Sequence, residues 1–365
     1  MTRYNVSITR CDAYDSTKVS TTLKELFAHL EISFRPGMRI LVKPNLMSPV
    51  KPERAITTHP VVLEELCKIL KAAGAEIIIG ESSFYHTHQA FGVCDIAPLK
   101  QYARLVNFDT EPTRLVPFGG KAGDIPLPEI LFQVDYIINV AKMKTHGLTG
   151  VTLCVKNLYG CIPGALKQGY HKILPSPRSF SKFLIQLHHK LVPSLNIIDG
   201  IVGLEGEGPG ASGKPISSGL VFAGASACAV DIIASEVMGF KAHEIYTNRY
   251  SGIRRAEIKT IGNGREERMF FQKPLSANFP YLIYFAELLP RSLINFDHDR
   301  CVRCKLCGEK CPATAISFHP EPICDHERCI RCYCCIEICP NSSIFLRDHW
   351  IRSYLKKIVK IIVRR

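Results

Sequence analysis

Over residues 1–268, short unbroken apolar runs alternate with stretches whose apolar residues recur at helical spacing. Arg39–Lys43 (RILVK), Ala75–Gly80 (AEIIIG), Asp135–Ala141 (DYIINVA), Leu195–Asp199 (LNIID) and Gly219–Ala223 (GLVFA) read as buried strands. Val61–Ala73 and Ala227–Gly239 read as helices. Continuous Val/Ile runs between helices mark parallel strands covered on both faces. The expected body is therefore α/β, a doubly wound, mostly parallel sheet of one or two lobes.

The pattern changes after residue 268. Residues 269–296 are apolar and aromatic but carry Pro274, Pro280 and Pro290, and read as a connector packed on the body. Phe279–Ile294 is too interrupted for a membrane span, which needs about 20 apolar residues. Residues 297–346 form a small cysteine-rich α+β module, and 347–365 a tail. On a helical wheel, Trp350, Ile351, Tyr354, Leu355, Ile358, Ile361 and Ile362 share one arc. Arg352, Lys356, Lys357, Lys360 and Arg364 share the other. This is a basic amphipathic helix, suited to an internal core face, an oligomer partner or an anionic membrane surface.

Ten of the 16 cysteines lie between Cys301 and Cys339. Cys301–Phe318 (CVRCKLCGEKCPATAISF) and Cys329–Leu346 (CIRCYCCIEICPNSSIFL) align without gaps, with eight of 18 positions identical. Each is C-x2-C-x2-C-x3-C-P. Three cysteines two residues apart wrap one 4Fe–4S cubane, and the fourth reaches the other cubane. Cluster 1 is expected on Cys301, Cys304, Cys307 and Cys339, and cluster 2 on Cys329, Cys332, Cys335 and Cys311. Structural zinc sites use paired hooks instead. Cys334, which aligns with Leu306, reads as a small core residue, and Cys324 as a free thiol in the loop between repeats. The module resembles bacterial-type two-cluster ferredoxins.

The formal net charge of +13 favours anionic partners. The charge is dispersed, with no basic run interleaved with aromatics before residue 290, so nucleic acid is not expected. Met1–Asp15 has no apolar core of a signal peptide, which points to the cytoplasm, or to the inner membrane surface if the tail binds lipid.

Polar clusters recur just after the strands, where open α/β sheets bind ligands. They are Lys43, Asn45, His59, Glu81, Lys142, Lys144, His146, Lys156 and Asn157. Thr58–His59–Pro60 opens a helix whose N-terminus suits an anion. His146 has the pKa expected of a proton donor near neutrality. Gly200–Gly213 lacks a dinucleotide fingerprint and reads as a lid or a loop near a ligand. A flavin is compatible with such a site, but no motif requires one.

VKPNLM (Val42–Met47), GESS (Gly80–Ser83), NVAKMKTHGLTGVTLCVKNLYG (Asn139–Gly160), IIDGIVGLEGEGPGASGKP (Ile197–Pro215) and AVDIIASEVMG (Ala229–Gly239), with the helix from Thr58, resemble the family numbered 362 among domains of unknown function. The resemblance spans about 35–245 and implies the ferredoxin fusion but no substrate. The body is also distantly similar in fold to the nickel-pincer lactate racemases, an analogy of fold alone.

These features point to an iron–sulfur oxidoreductase. A low-potential donor protein would feed the clusters, and an anionic small molecule would be reduced at the strand ends. His146, Lys142, Lys144, Lys43 and Glu81 would be catalytic, with Asn45, His59, Lys156 and Asn157 binding substrate. The alternatives are a non-catalytic electron carrier or adaptor, at a membrane surface if the tail holds it there, and an enzyme whose clusters are structural.

Overall fold

The structure, a computed structural model, describes residues 3–84, 86–274 and 293–347. The tail helix expected from Trp350 and most of the 269–296 connector lie outside these residues.

One sheet organises the body. Its strands are β1 (Tyr4–Arg10), β2 (Arg39–Lys43), β3 (Glu76–Glu81), β4 (Arg104–Asn107), β7 (Tyr136–His146), β8 (Gly150–Thr152), β9 (Leu195–Gly206), β10 (Gly213–Gly224) and β11 (Ile258–Ile261). Their order is β11-β1-β10-β9-β7-β2-β3-β4, with β8 beside β7. Only β10 and β8 run against the rest. A separate hairpin, β5 (Thr113–Gly119) and β6 (Gly123–Pro128), lies between β4 and β7 in the chain.

Alternation along the strands feeds two cores. Ile40, Val42, Ile79 and Val140 face a layer built on α1 (Ser16–His29), α2 (Pro60–Ala72) and α3 (Thr87–Val93). Leu41, Ile78, Ala141 and Met143 face the opposite layer. That layer contains α4 (Cys154–Asn157), α5 (Gly164–Ile173), α6 (Pro177–Leu191), α7 (Ala227–Val237) and the short α8 (Tyr246–Tyr250). The doubly wound, mostly parallel body is thus a single sheet. Three strands are longer than their apolar runs indicate: β7 continues to His146, β9 to Gly206, and β10 begins at Gly213. Lys142, Lys144 and His146 therefore stand on a strand rather than after one.

β2, β3, β7 and β9 run parallel and finish on one edge of the sheet. Strand order reverses between β2 and β7, since β3 and β4 extend one way and β9 the other. Such a switch point opens a crevice between adjacent strand ends.

The cysteine module has two short antiparallel pairs. β12 (Leu293–Phe296) pairs β15 (Ile344–Arg347), and β13 (Ile316–Phe318) pairs β14 (Pro322–Cys324). Short helices α9 (Leu306–Glu309) and α10 (Cys334–Ile338) follow the cysteine loops. The arrangement repeats the internal sequence symmetry. Ile294, Ile336 and Ile344 form its small core.

Candidate active site

The crevice at the switch point forms a pocket of about 490 Å3, counting space open to solvent. Of the nine expected residues, Asn45, Glu81, Lys144, Lys156 and Asn157 line it. Thr152, Tyr159, Gly160, Lys167, His171, Pro209 and Glu337 complete much of the wall.

A ladder of buried amides sets the floor. Lys144 Nζ donates to Asn45 Oδ1 at 2.9 Å and to the Ile56 carbonyl at 2.7 Å. Asn45 Nδ2 donates to Asn157 Oδ1, and Asn157 Nδ2 to Asn139 Oδ1, each at 2.8 Å. The short helix α4 presents Lys156 and Asn157. Its first N–H groups, on Cys154 and Val155, donate to the buried Asp231 carboxylate at 2.7 and 2.9 Å.

Lys156 makes no hydrogen bond among the described residues, and its ammonium lies 4.7 Å from the Tyr159 ring centroid. Burial holds its pKa below the usual lysine value. Burial, with Lys156 nearby, lowers Lys144 to about 7. Lys167 Nζ bonds Ser82 Oγ at 2.9 Å and the Ser82 and Ser83 carbonyls, and burial lowers it to about 8. Thr152 Oγ1, His171 Nδ1 and Glu337 Oε1 have no hydrogen-bond partner among the described residues. Buried polar atoms are normally satisfied; Glu337 Oε1 faces His146 Nε2 at 3.4 Å, so it is Thr152 Oγ1 and His171 Nδ1, on residues lining one cavity, that suit a polar ligand.

Glu81 Oε2 accepts from Lys43 Nζ at 2.6 Å, with both side chains buried. Burial raises the Glu81 pKa, opposed by Lys43 and Lys167. A Cβ on Gly160 would lie 2.6 Å from Lys43 Nζ, so only glycine lets the chain close over this pair.

The remaining expectations need correction. Lys43 supports Glu81 and does not line the cavity. Lys142 and His59 belong to a separate buried network. Lys142 Nζ donates to Asp199 Oδ2 at 2.8 Å and to the Tyr14 hydroxyl at 2.6 Å, and Tyr14 donates to Asp199 Oδ1. His59 stacks on Tyr14 at 3.6 Å. The cause is the pleat: Lys43 follows Leu41 on one sheet face, whereas Lys142 follows Val140 on the other. The α2 N-terminus is also not open to an anion, because Asp199 Oδ2 accepts the His59 N–H at 2.9 Å.

His146 is buried beside the cavity. Its Nδ1 accepts the Leu148 N–H at 3.0 Å, which leaves the proton of the neutral ring on Nε2, 3.4 Å from Glu337 Oε1. Burial and then neighbouring cations, Lys156 foremost, push its pKa well below 6.5. His146 is thus neutral at pH 7, and the cavity groups brought near 7 are Lys144 and Glu337.

Glu337 was not visible as a site residue in the sequence. It stands on α10, between Cys335 and Cys339, and Glu309 occupies the matching place in the first repeat. The cysteine module packs directly on the body: a Cβ on Gly210 would lie 2.5 Å from the Glu337 carbonyl oxygen, and one on Gly147 3.4 Å from the Tyr333 ring. The glycine-rich loop is therefore a seat for α10 rather than a lid. Burial lifts Glu337 to about 7 against the pull of Lys156 and Lys144.

The module holds two further cavities. Cys301, Cys304, Cys307 and Cys339 line one of about 350 Å3. Cys311, Cys329, Cys332 and Cys335 line another of about 300 Å3, together with Cys324. No three His, Cys, Asp or Glu among the described residues are grouped to hold a single metal ion. Four thiols around a cavity fit a multi-iron cluster better than zinc. The second cavity is nearer the body: Tyr333, next to its lining residue Cys332, packs against Gly147. Cys304, in the first, is exposed.

Residues 294–317 match the 4Fe-4S binding domain, consistent with an iron–sulfur electron-transfer module. A thylakoid-associated protein of Synechocystis is 28% identical over 241 residues, covering 64% of this chain and 74% of its own. The lactate racemase apoprotein of Thermoanaerobacterium thermosaccharolyticum aligns at a TM-score of 0.43 and 15% identity, over 63% of this chain and 56% of that one. No helix among the described residues is long and apolar enough to cross a membrane. Residues 40–236, more than half of the chain, match the family described as Domain of unknown function (DUF362), and the protein belongs to that family.

Proposed function

We propose that the protein is an oxidoreductase that passes electrons from a low-potential donor protein, through two 4Fe–4S clusters, to an anionic small molecule in the switch-point cavity. One observation carries this reading: Glu337, on α10 between Cys335 and Cys339 in the chain, lines the same cavity as Lys144 and Lys156. Electrons tunnel only across short gaps, and no other part of the module needs to move to bring a ligand cysteine near the site.

On this reading Cys301, Cys304, Cys307 and Cys339, which line one cysteine cavity, would hold one cluster, and Cys311, Cys329, Cys332 and Cys335, which line the other together with Cys324, would hold the second. When bound, such clusters supply single low-potential electrons. The chain's own residues do the rest. Lys156, with no hydrogen-bond acceptor among the described residues, binds the anionic group. Lys144, near 7, holds a proton that can pass to a reduced substrate. Thr152 and His171 fix orientation. The Lys43–Glu81 pair and the asparagine ladder hold these groups in place, and α10 with Pro209 keeps water out.

The test is anaerobic. Dithionite-reduced holoprotein is mixed with a panel of small carboxylates and phosphates, and reoxidation is followed by cluster absorbance. At least one compound should accelerate reoxidation, and Lys156→Met should remove the acceleration at unchanged iron content. If acceleration persists in Lys156→Met, the cavity is not where electrons leave.

A second reading has its own support. The thylakoid-associated relative and the basic amphipathic tail both favour an electron carrier or adaptor at an anionic membrane surface. In that case the Lys156 variant would transfer electrons to a protein acceptor at the wild-type rate.

A further inference from the structure

The two cysteine cavities differ in one respect that the repeat makes conspicuous. Shifting one copy onto the other carries Phe296, five residues before Cys301, onto Cys324, five residues before Cys329. Phe296 ends β12 and lines the first cavity. Cys324 ends β14 and lines the second. The cavity nearer the body is thus surrounded by five cysteines, the other by four and a phenyl ring. Cys324 was expected to be a free loop thiol; its place in the fold is the wall of a cluster cavity.

We propose that Cys324 is a reserve ligand for the inner cluster, able to take the place of Cys329. The inference rests on the two-cluster reading above. Cys329 follows the turn at 326–328, its N–H bonded to the Asp325 carbonyl at 3.0 Å, while Cys324 is held by the β13–β14 ladder, where Ile316 pairs with Cys324. A thiolate from either residue enters the same cavity, so exchange needs only a side-chain movement. The exchange is a ligand substitution: the Cys329 sulfur leaves one iron and takes up a proton, the Cys324 sulfur loses its proton and binds that iron, and no electron moves. The outer cluster, with Phe296 in the equivalent place, has no such reserve. The cluster beside the substrate cavity, which a reactive intermediate would meet first, is the one so equipped.

Single and double variants of the full chain, reconstituted anaerobically, separate the outcomes. Wild type should bind about eight iron, and a count near four would reject the two-cluster reading itself. Cys329→Ala should keep about eight, with an altered EPR signal from the inner cluster. Cys329→Ala/Cys324→Ala should fall by about half, as should Cys301→Ala alone. If Cys329→Ala already loses a cluster, or stops at a three-iron centre with about seven iron, the proposal is wrong. Should Cys329→Ala not fold, Cys324→Ala decides. In wild type and in this variant, EPR follows loss of each cluster to a chelator in air. The inner cluster should be lost several-fold faster without Cys324 and the outer one at an unchanged rate. Equal inner-cluster rates overturn the proposal.

Discussion

Removing the Lys43 ammonium should damage the body more than any exposed charge change could. Lys43 and Glu81 are 0% and 3% exposed at the side chain, and their ion pair is 2.6 Å long. Lys43→Met leaves a buried carboxylate without its cation. Breaking a buried pair by deleting one partner costs about 3–5 kcal/mol. The low end applies here, because Glu81 Oε1 keeps the Ser82 N–H at 2.9 Å and Lys167 remains nearby. With an m-value of about 3 kcal/mol/M, the urea midpoint should fall by about 1 M. The assay is urea unfolding followed by far-UV circular dichroism, on protein matched for iron content. Lys43→Met/Glu81→Met removes both charges at similar volume and should recover to within about 1 kcal/mol of wild type. A loss below about 1 kcal/mol in Lys43→Met, or a double variant no better than the single one, would refute the claim that this pair acts as a closed unit.

Four further outcomes follow from other parts of the structure. Gly210→Val meets the Glu337 backbone, so the variant should keep its iron but release the cysteine module to protease; unchanged protease resistance contradicts the seat described for α10. Anion affinity should fall as pH rises through 7, because Lys144 loses the proton that attracts the ligand and Glu337, on the same wall, gains a charge that repels it; calorimetric titration should find a shallower slope in Lys144→Met and in Glu337→Gln, and an unchanged slope in both contradicts the assignment. Cys311→Ala should disturb the cluster held by Cys329, Cys332 and Cys335 and spare that of its sequence neighbours, as read by EPR. Anionic liposomes should retain the full-length protein and lose it when Trp350–Arg365 is deleted, with salt weakening the binding; retention of the truncated protein excludes the tail as the anchor.

Where the sequence was readable, one element carried its own signal. RILVK at Arg39–Lys43 is a strand with those same ends, and helices from Pro60 and Ala227 begin within a residue of expectation. The eight cysteines of the two repeats fall four to each cavity as their spacing groups them, while Cys324, read as a free loop thiol, joins the second. The candidate site was half readable. Asn45, Glu81, Lys144, Lys156 and Asn157 line the cavity because β2, β3 and β7 end on one edge. Lys43, Lys142 and His59 could not be sorted from them without the strand register, which decides the face each occupies. Lys142 and Asp199 each look like a free strand-end charge in one dimension, and each neutralises the other in three. Lys167 and His171 sit on α5, whose packing over Ser82 depends on contacts more than 80 residues apart. Glu337 depends on the docking of two domains, which no local pattern records. His146 illustrates the electrostatic limit: its identity suggests titration near neutrality, and burial removes it.

The account stands or falls on one spatial relation, that an anion bound by Lys144 and Lys156 lies against the inner cluster. Anaerobic crystals of the holoprotein soaked in selenate, with anomalous data at the iron and selenium edges, measure it directly. The account predicts iron peaks in both cysteine cavities and a selenium peak between Lys144, Lys156 and Glu337, with the Cys329–Cys332–Cys335 cluster the nearer of the two. Selenium absent from that cavity while bound elsewhere, or an inner cluster turned away from it, would contradict the assignment of this crevice as the site where electrons reach a substrate.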